Sequence, residues 1–111
     1  MPFKIAAGSS DGKVINQHFG SCRQFLIINV DSDNQSYSFD GFRTVTPPCN
    51  GGEHEGAALE KAAEALSDCR AVLISKIGPP AEAAITRYGI EVMEYHGLIE
   101  DALKRILQYY H

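Results

Sequence analysis

The sequence has no surplus of basic residues and no long apolar run, and each absence excludes a class of protein. Its 111 residues include 10 lysines and arginines against 14 acidic residues, which gives a formal net charge of −4. Because nucleic-acid binding depends on cations that neutralise phosphates, this charge argues against a nucleic-acid partner. No segment approaches the roughly 20 apolar residues of a membrane span, and the first residues contain no signal-peptide core. We therefore expect a cytoplasmic protein that does not associate with membranes.

Cysteine is also scarce, and its pattern excludes a disulfide framework. The three cysteines, Cys22, Cys49 and Cys69, are odd in number and lack the regular spacing of a small secreted domain. The chain is 44% hydrophobic and 22% charged, as in an ordinary globular protein that buries a core. We expect one domain over residues 1–111, with reduced thiols and with Cys69 in the core.

Hydrophobic periodicity predicts a mixed α/β fold. The predicted strands are residues 3–8, 24–30, 37–45, 70–76 and 90–95, and a bulge is expected at Gly41. The predicted helices are residues 57–68, 79–89 and 98–110. Three antiparallel strands followed by two strands interleaved with helices is the order of the ribonuclease H-like fold. We therefore expect that fold, with a mixed five-stranded sheet flanked by helices.

The first predicted strand, FKIAAG, contains neither aspartate nor glutamate. Ribonuclease H-like nucleases hold divalent metal with a carboxylate cluster, which usually begins in the first strand. Since the fold does not by itself imply the activity, we expect the fold without a nuclease site.

Two loops concentrate side chains that bind soft metals. The first, HFGSC, contains His18 and Cys22, and the second, CNGGEH, contains Cys49 and His54. Thiolate and imidazole bind iron, zinc and copper, whereas calcium and magnesium prefer oxygen. Both loops adjoin the early strands, so we hypothesise that they meet at one end of the sheet.

Three interpretations of these loops stay open from the residues alone. The four side chains provide the ligands of a zinc site, although their spacing is not that of a zinc finger. Cys22 beside His18 has the elements of a cysteine nucleophile, but no supporting signature surrounds them. Ordinary packing and turn formation account for the same residues without any chemistry.

Four sequence blocks taken together resemble the dinitrogenase iron-molybdenum cofactor biosynthesis family, the NifX and NifB C-terminal type domain. The blocks are KIAAGSSDGKVINQHFG, CNGGEHEG, LSDCRAVLISKIG and YGIEVMEYHGLIEDAL. The resemblance implies a non-catalytic protein that binds and carries or stores an iron-sulfur cofactor precursor or the iron-molybdenum cofactor. The resemblance also implies that one cofactor-assembly protein donates the cofactor to this protein and that another accepts it. The chain lacks the CxxxCxxC run of radical S-adenosylmethionine enzymes, so the synthase half of the NifB type is absent.

The resemblance also implies a set of contacts for an anionic cofactor. His18 is the family's suggested cofactor contact, and backbone amides or the basic side chains of Arg23 and Arg43 would offset the cofactor's charge. The expected cofactor-binding residues are His18, Arg23, Cys49, Gly51, Gly52 and His54. The expected metal ligands are His18, Cys22, Cys49 and His54.

A second function from a different class stays open. The thiols of Cys22 and Cys49 would also suit a zinc-binding or thiol redox-regulated interaction module. Metal content would separate this module from a carrier of iron-sulfur cargo.

Overall fold

The computed structural model describes residues 2–45 and 55–110, with only the backbone described for residues 55–57. The strands are β1 (Phe3–Gly8), β2 (Val14–Ile15), β3 (Gln24–Asp31), β4 (Ser36–Thr44), β5 (Cys69–Ile74), β6 (Glu91–Glu94) and β7 (Gly97–Leu98). The helices are α1 (Glu55–Ala65), α2 (Pro79–Arg87) and α3 (Ile99–Tyr109). All five predicted strands and all three predicted helices are confirmed, with their ends displaced by at most three residues. None of the described helices is long and apolar enough to span a bilayer.

The main sheet has the strand order β4-β3-β1-β5-β6. β1 pairs antiparallel with β3, and β3 pairs antiparallel with β4, whereas β5 is parallel to both β1 and β6. The predicted mixed five-stranded sheet is therefore confirmed. β1, β4, β5 and β6 all end at one edge of the sheet, where β3 begins. We call this the carboxyl edge, and its marker residues are Gly8, Gln24, Thr44, Ile74 and Glu94.

The sheet is apolar on both faces because helices cover both. One core layer joins α1 and α2 to residues such as Phe25, Ile27 and Ile74. The other joins α3 to residues such as Ile5 and Ile28. This double burial explains why QFLIINV is a nearly continuous apolar run rather than an alternating one.

A second sheet of two strands was not predicted. β2 pairs antiparallel with β7 through Val14 opposite Leu98 and Ile15 opposite Gly97. The Ile99 amide also donates to the Lys13 carbonyl at 2.8 Å, which fixes the start of α3. Strands of two residues show no periodicity, so the sequence carries no pattern that could reveal them.

The predicted bulge at Gly41 is confirmed. Gly41 lies opposite Ile27 and Phe39 lies opposite Ile28, so Asp40 is an extra residue in β4. Gly41 has a φ of 102°, a conformation that glycine adopts without steric cost.

An ion pair on the surface connects β4 to the end of α1. The Arg43 guanidinium donates to both carboxylate oxygens of Asp68 at 2.6 and 3.0 Å, and to the Ala65 carbonyl at 2.9 Å. These hydrogen bonds lower the pKa of Asp68 from 3.8 to about 2. The Arg43 side chain is thus already paired within the fold. Arg23 is therefore the better candidate to bind an anionic ligand.

Replacement of Asp68 by asparagine should destabilise the fold near neutral pH and not in strong acid. The folded-state pKa lies below the unfolded value, so the paired carboxylate stabilises the fold above about pH 4 and loses that effect toward pH 2. Because both side chains are partly exposed, solvent screening keeps the effect below about 1 kcal/mol. Urea unfolding of wild type and Asp68→Asn near neutral pH and near pH 2 measures the difference.

The matched control for this experiment is Glu64→Gln, which changes an exposed carboxylate on α1. It should leave the free energy of unfolding nearly unchanged at neutral pH. An equal loss of stability in Asp68→Asn at both pH values would contradict an electrostatic origin.

Candidate functional site at the carboxyl edge

His18 lies on the carboxyl edge, beyond the end of β5. The Phe19 amide donates to the Lys76 carbonyl at 2.9 Å, and the Ser75 amide donates to the Gln17 carbonyl at 3.0 Å. His18 itself forms a parallel bridge with Lys76. The strand-like pairing therefore continues past Ile74, and it presents the exposed His18 side chain at the rim of the sheet.

The turn after His18 is held by an aromatic side chain in the core. Phe19 is 1% exposed and packs against Phe25 with ring centroids 5.9 Å apart. The turn closes through hydrogen bonds from the Ser21 amide to the His18 carbonyl and from the Cys22 amide to the Phe19 carbonyl. Burial of Phe19 therefore fixes the backbone of His18 while its imidazole stays in solvent.

Gly8 supports the same segment from β1. Its carbonyl accepts hydrogen bonds from the amides of Asn16 and Gln17 at 3.2 and 3.3 Å. A Cβ atom at Gly8 would overlap the Ile74 side chain and lie 3.4 Å from the Gln17 Cβ. A larger residue at this position would therefore force the Ile74 side chain to move.

Cys22 is placed differently from His18, although only four positions separate them. The thiol is fully buried and donates to the Gln24 carbonyl at 3.0 Å. Burial raises the pKa of the Cys22 thiol to about 11, so it is protonated at neutral pH. The thiolate form that binds metal is disfavoured here. The expectation that Cys69 lies in the core is confirmed, because its side chain is 4% exposed.

Arg23 lies at the same edge, where β4 ends. Its carbonyl accepts a hydrogen bond of 2.8 Å from the Val45 amide, and its side chain is exposed. The first described range, residues 2–45, therefore ends beside Arg23.

Four predicted contacts lie outside the described residues. They are Cys49, Gly51, Gly52 and His54. The hypothesis that the two ligand loops meet stays a prediction. Within residues 2–45 and 55–110, no group of three or more His, Cys, Asp or Glu side chains is arranged to hold a metal ion.

Lys76 was not among the site residues predicted from the sequence. The structure pairs it with His18. Its position just after a buried strand could have indicated it as a site residue, because the carboxyl ends of parallel strands lie at the same edge of a sheet. His96 follows β6 at that edge and is also exposed.

Comparison with known proteins identifies similar sequences. The family described as "Dinitrogenase iron-molybdenum cofactor" matches residues 1–109. The FeMo cofactor biosynthesis protein NifB of Chlorobaculum tepidum is 38% identical over 99 residues, which cover 89% of this chain and 22% of NifB. Protein NifY of Klebsiella pneumoniae is 35% identical over 86 residues, covering 78% of this chain and 35% of NifY. The chain thus spans about a fifth to a third of the length of these relatives.

A solved structure shares the fold. The apo form of the orange protein from Desulfovibrio gigas superposes with a TM-score of 0.67 at 20% sequence identity. The superposition covers 96% of this chain and 88% of the orange protein. At this identity the likeness supports the arrangement of strands and helices.

Native protein treated with iodoacetamide at mildly alkaline pH should keep Cys22 and Cys69 unmodified. Both thiols are buried, and burial raises the pKa of Cys22 to about 11 and that of Cys69 to about 12. Mass spectrometry of tryptic peptides measures the labelling, and protein unfolded in urea provides the fully labelled control. Rapid labelling of Cys22 in the native protein would show that the turn after His18 opens readily.

Substitution of Gly8 by alanine should destabilise the fold by about 1 to 3 kcal/mol, because the added methyl overlaps Ile74. Gly78→Ala is the control, since a Cβ atom there meets its nearest neighbour at 3.9 Å. Thermal unfolding followed by circular dichroism compares the two variants. Equal melting temperatures would contradict the packing argument.

Proposed function

Because the chain belongs to the dinitrogenase iron-molybdenum cofactor family, we propose that residues 1–111 form one domain that binds and carries an iron-sulfur cargo. The cargo is an iron-sulfur cofactor precursor or the iron-molybdenum cofactor, held for storage or transfer. The observation that carries the proposal is the exposed imidazole of His18, fixed on the carboxyl edge by the buried Phe19. Ligands of open α/β sheets commonly bind outside the carboxyl ends of strands.

The proposed role is non-catalytic, on a ribonuclease H-like fold. The strand order β4-β3-β1-β5-β6, with helices on both faces, supports that assignment of the fold. No residue of β1, from Phe3 to Gly8, is acidic, so this strand supplies no carboxylate for a divalent metal. Binding and release of the cargo are the whole of the proposed activity.

An exposed histidine suits a carrier better than a closed set of ligands does. An imidazole nitrogen of His18 would contact an iron or molybdenum atom at the surface of the cargo, which retains its own sulfides and other ligands. Such a contact is open to exchange with an acceptor protein. A cage of four protein ligands would hold the metal more tightly and release it more slowly.

The remaining proposed contacts lie near Arg23 and in the segment that follows Val45. Arg23 is exposed at the edge and offers a cation for the negative charge of the cargo. Cys49 and His54 are proposed as further ligands, and the amides of Gly51 and Gly52 as hydrogen-bond donors. The hydrogen bond between Val45 and Arg23 supports this grouping, because it starts the segment at the same edge.

Cys22 has a packing role in this proposal. Its buried thiol would have to leave the core and lose its hydrogen bond to Gln24 before it could bind metal. The same burial counts against the alternative zinc or thiol redox module, which would depend on Cys22 together with Cys49.

The partners proposed for the domain are cytoplasmic proteins of cofactor assembly, one that donates the cargo and one that accepts it. The name of the NifB relative, a FeMo cofactor biosynthesis protein, supports this placement. Because the chain spans 22% of that relative, only the part of NifB's role that this domain supports is proposed here.

Anaerobic reconstitution with ferrous iron and sulfide tests the proposal. Wild type should gain iron, sulfide and visible absorption, and His18→Ala should bind the cluster about tenfold more weakly or not at all, because it loses a ligand. His111→Ala, which changes another histidine of the chain, should behave as wild type. Iron and sulfide analysis, absorption spectra and circular dichroism of each variant provide the measurements.

Two outcomes would contradict the proposal. Uptake of zinc without iron by the wild type would favour the interaction module. Unchanged cluster uptake by a folded His18→Ala variant would remove His18 from the site.

A further inference from the structure

The cations of this chain divide into those with a partner in the fold and those without one. Three are ion-paired, namely Lys4, Arg43 and Arg87. Two lie over aromatic rings, namely Arg70 over Phe3 and Tyr110, and Arg105 over Tyr95. Among the described residues, five cations have neither kind of partner, namely Lys13, Arg23, Lys61, Lys76 and Lys104. Of these five, Arg23 and Lys76 lie exposed at the carboxyl edge. Two exposed cations without an ion-pair partner therefore lie at this edge.

Lys76 is the cation closest to His18 in the backbone arrangement. The two residues are partners in a parallel bridge. Bridge partners in neighbouring strands place their side chains on the same face of a sheet. An imidazole and an ammonium group therefore project together from the rim, and both are exposed to solvent.

An exposed carboxylate, that of Glu94, also lies in this part of the fold. Glu94, at the end of β6, accepts a hydrogen bond of 3.2 Å from the Ile77 amide. No ion pair joins Glu94 to Lys76 within the described residues. Within the described residues, the Lys76 ammonium is therefore not held in an ion pair.

We propose that Lys76 is a specificity-determining residue that selects anionic cargo at His18. This inference rests on the proposed function and extends it to the charge of the cargo. Iron-sulfur clusters with sulfide and thiolate ligands are anionic, and a neutral imidazole supplies a bond without offsetting that charge. Lys76 supplies this positive charge from the residue that is paired with His18. It thereby favours anionic clusters over free metal cations, which the same ammonium repels.

The test uses a preformed dianionic [4Fe–4S] cluster with four exchangeable thiolate ligands, titrated anaerobically into the intact chain. The His18 imidazole would displace one thiolate, which leaves as free thiol, and the bound cluster would stay anionic. Lys76→Gln should bind the cluster about fivefold more weakly at low salt, because one exposed charge interaction is lost. Lys76→Arg should restore the affinity. Lys104→Gln, which removes an exposed lysine of α3, should leave it unchanged. The salt dependence of binding should be weaker for Lys76→Gln than for wild type.

A cationic probe separates charge selection from damage to the fold. Zn²⁺ should bind Lys76→Gln at least as tightly as wild type, because the repelling ammonium is gone, whereas a distorted site would bind both probes less well. Thermal unfolding of each variant confirms that the fold is retained.

The results distinguish failure of this inference from failure of the proposed function. If wild type binds the cluster and His18→Ala does not, but Lys76→Gln binds as wild type does, the role of Lys76 is overturned and the carrier function stands. If Lys76→Gln weakens cluster and Zn²⁺ binding equally, charge selection is overturned. If wild type does not bind the cluster, both proposals fail.

Discussion

The exposed edge of this fold depends on the burial of one aromatic side chain. Phe19 occupies the core beside Phe25, and its amide donates to the Lys76 carbonyl. The β2–β7 pairing and the Gly8 carbonyl hold the earlier part of the segment between β1 and β3, and Phe19 holds the part that follows His18. With Phe19 in place, the backbone of His18 has the order of a strand although its side chain is in water. A ligand would then bind without the entropic cost of ordering a flexible loop.

The net charge of −4 does not show where the charged side chains lie in the fold. Most carboxylates with described partners lie away from the carboxyl edge, as the pairs of Arg43 with Asp68 and Arg87 with Glu60 illustrate. The cations at the edge lack such partners among the described residues. An acidic protein can therefore present exposed cations to an anionic ligand at one edge, while its overall charge limits association with nucleic acid.

The sequence predicted the elements of the fold well and the site less well, for a physical reason. Hydrophobic periodicity is local, so it identified the main strands and the helices, and the glycine within β4 indicated the bulge at Gly41. The depth of Cys22 depends on Phe19 and Gln24 packing around it, and the neighbouring residues Ser21 and Arg23 are exposed. The pairing of His18 with Lys76 joins residues far apart in the chain, and such contacts leave no local pattern. The predicted meeting of the two loops stays a prediction, because Cys49 and His54 lie outside the described residues.

The bulge at Gly41 affects whether copies of this protein can pair through their outer strands. β4 is an outer strand of nine residues, and its side chains Phe39 and Phe42 are 54% and 49% exposed. A long, regular, aromatic edge of this kind is a template for aggregation. The extra residue at Asp40 breaks the regular spacing of backbone donors and acceptors and increases the local twist. The same irregularity, which shifts the register between β3 and β4, thus makes the outer side of β4 a poor match for a strand of another molecule.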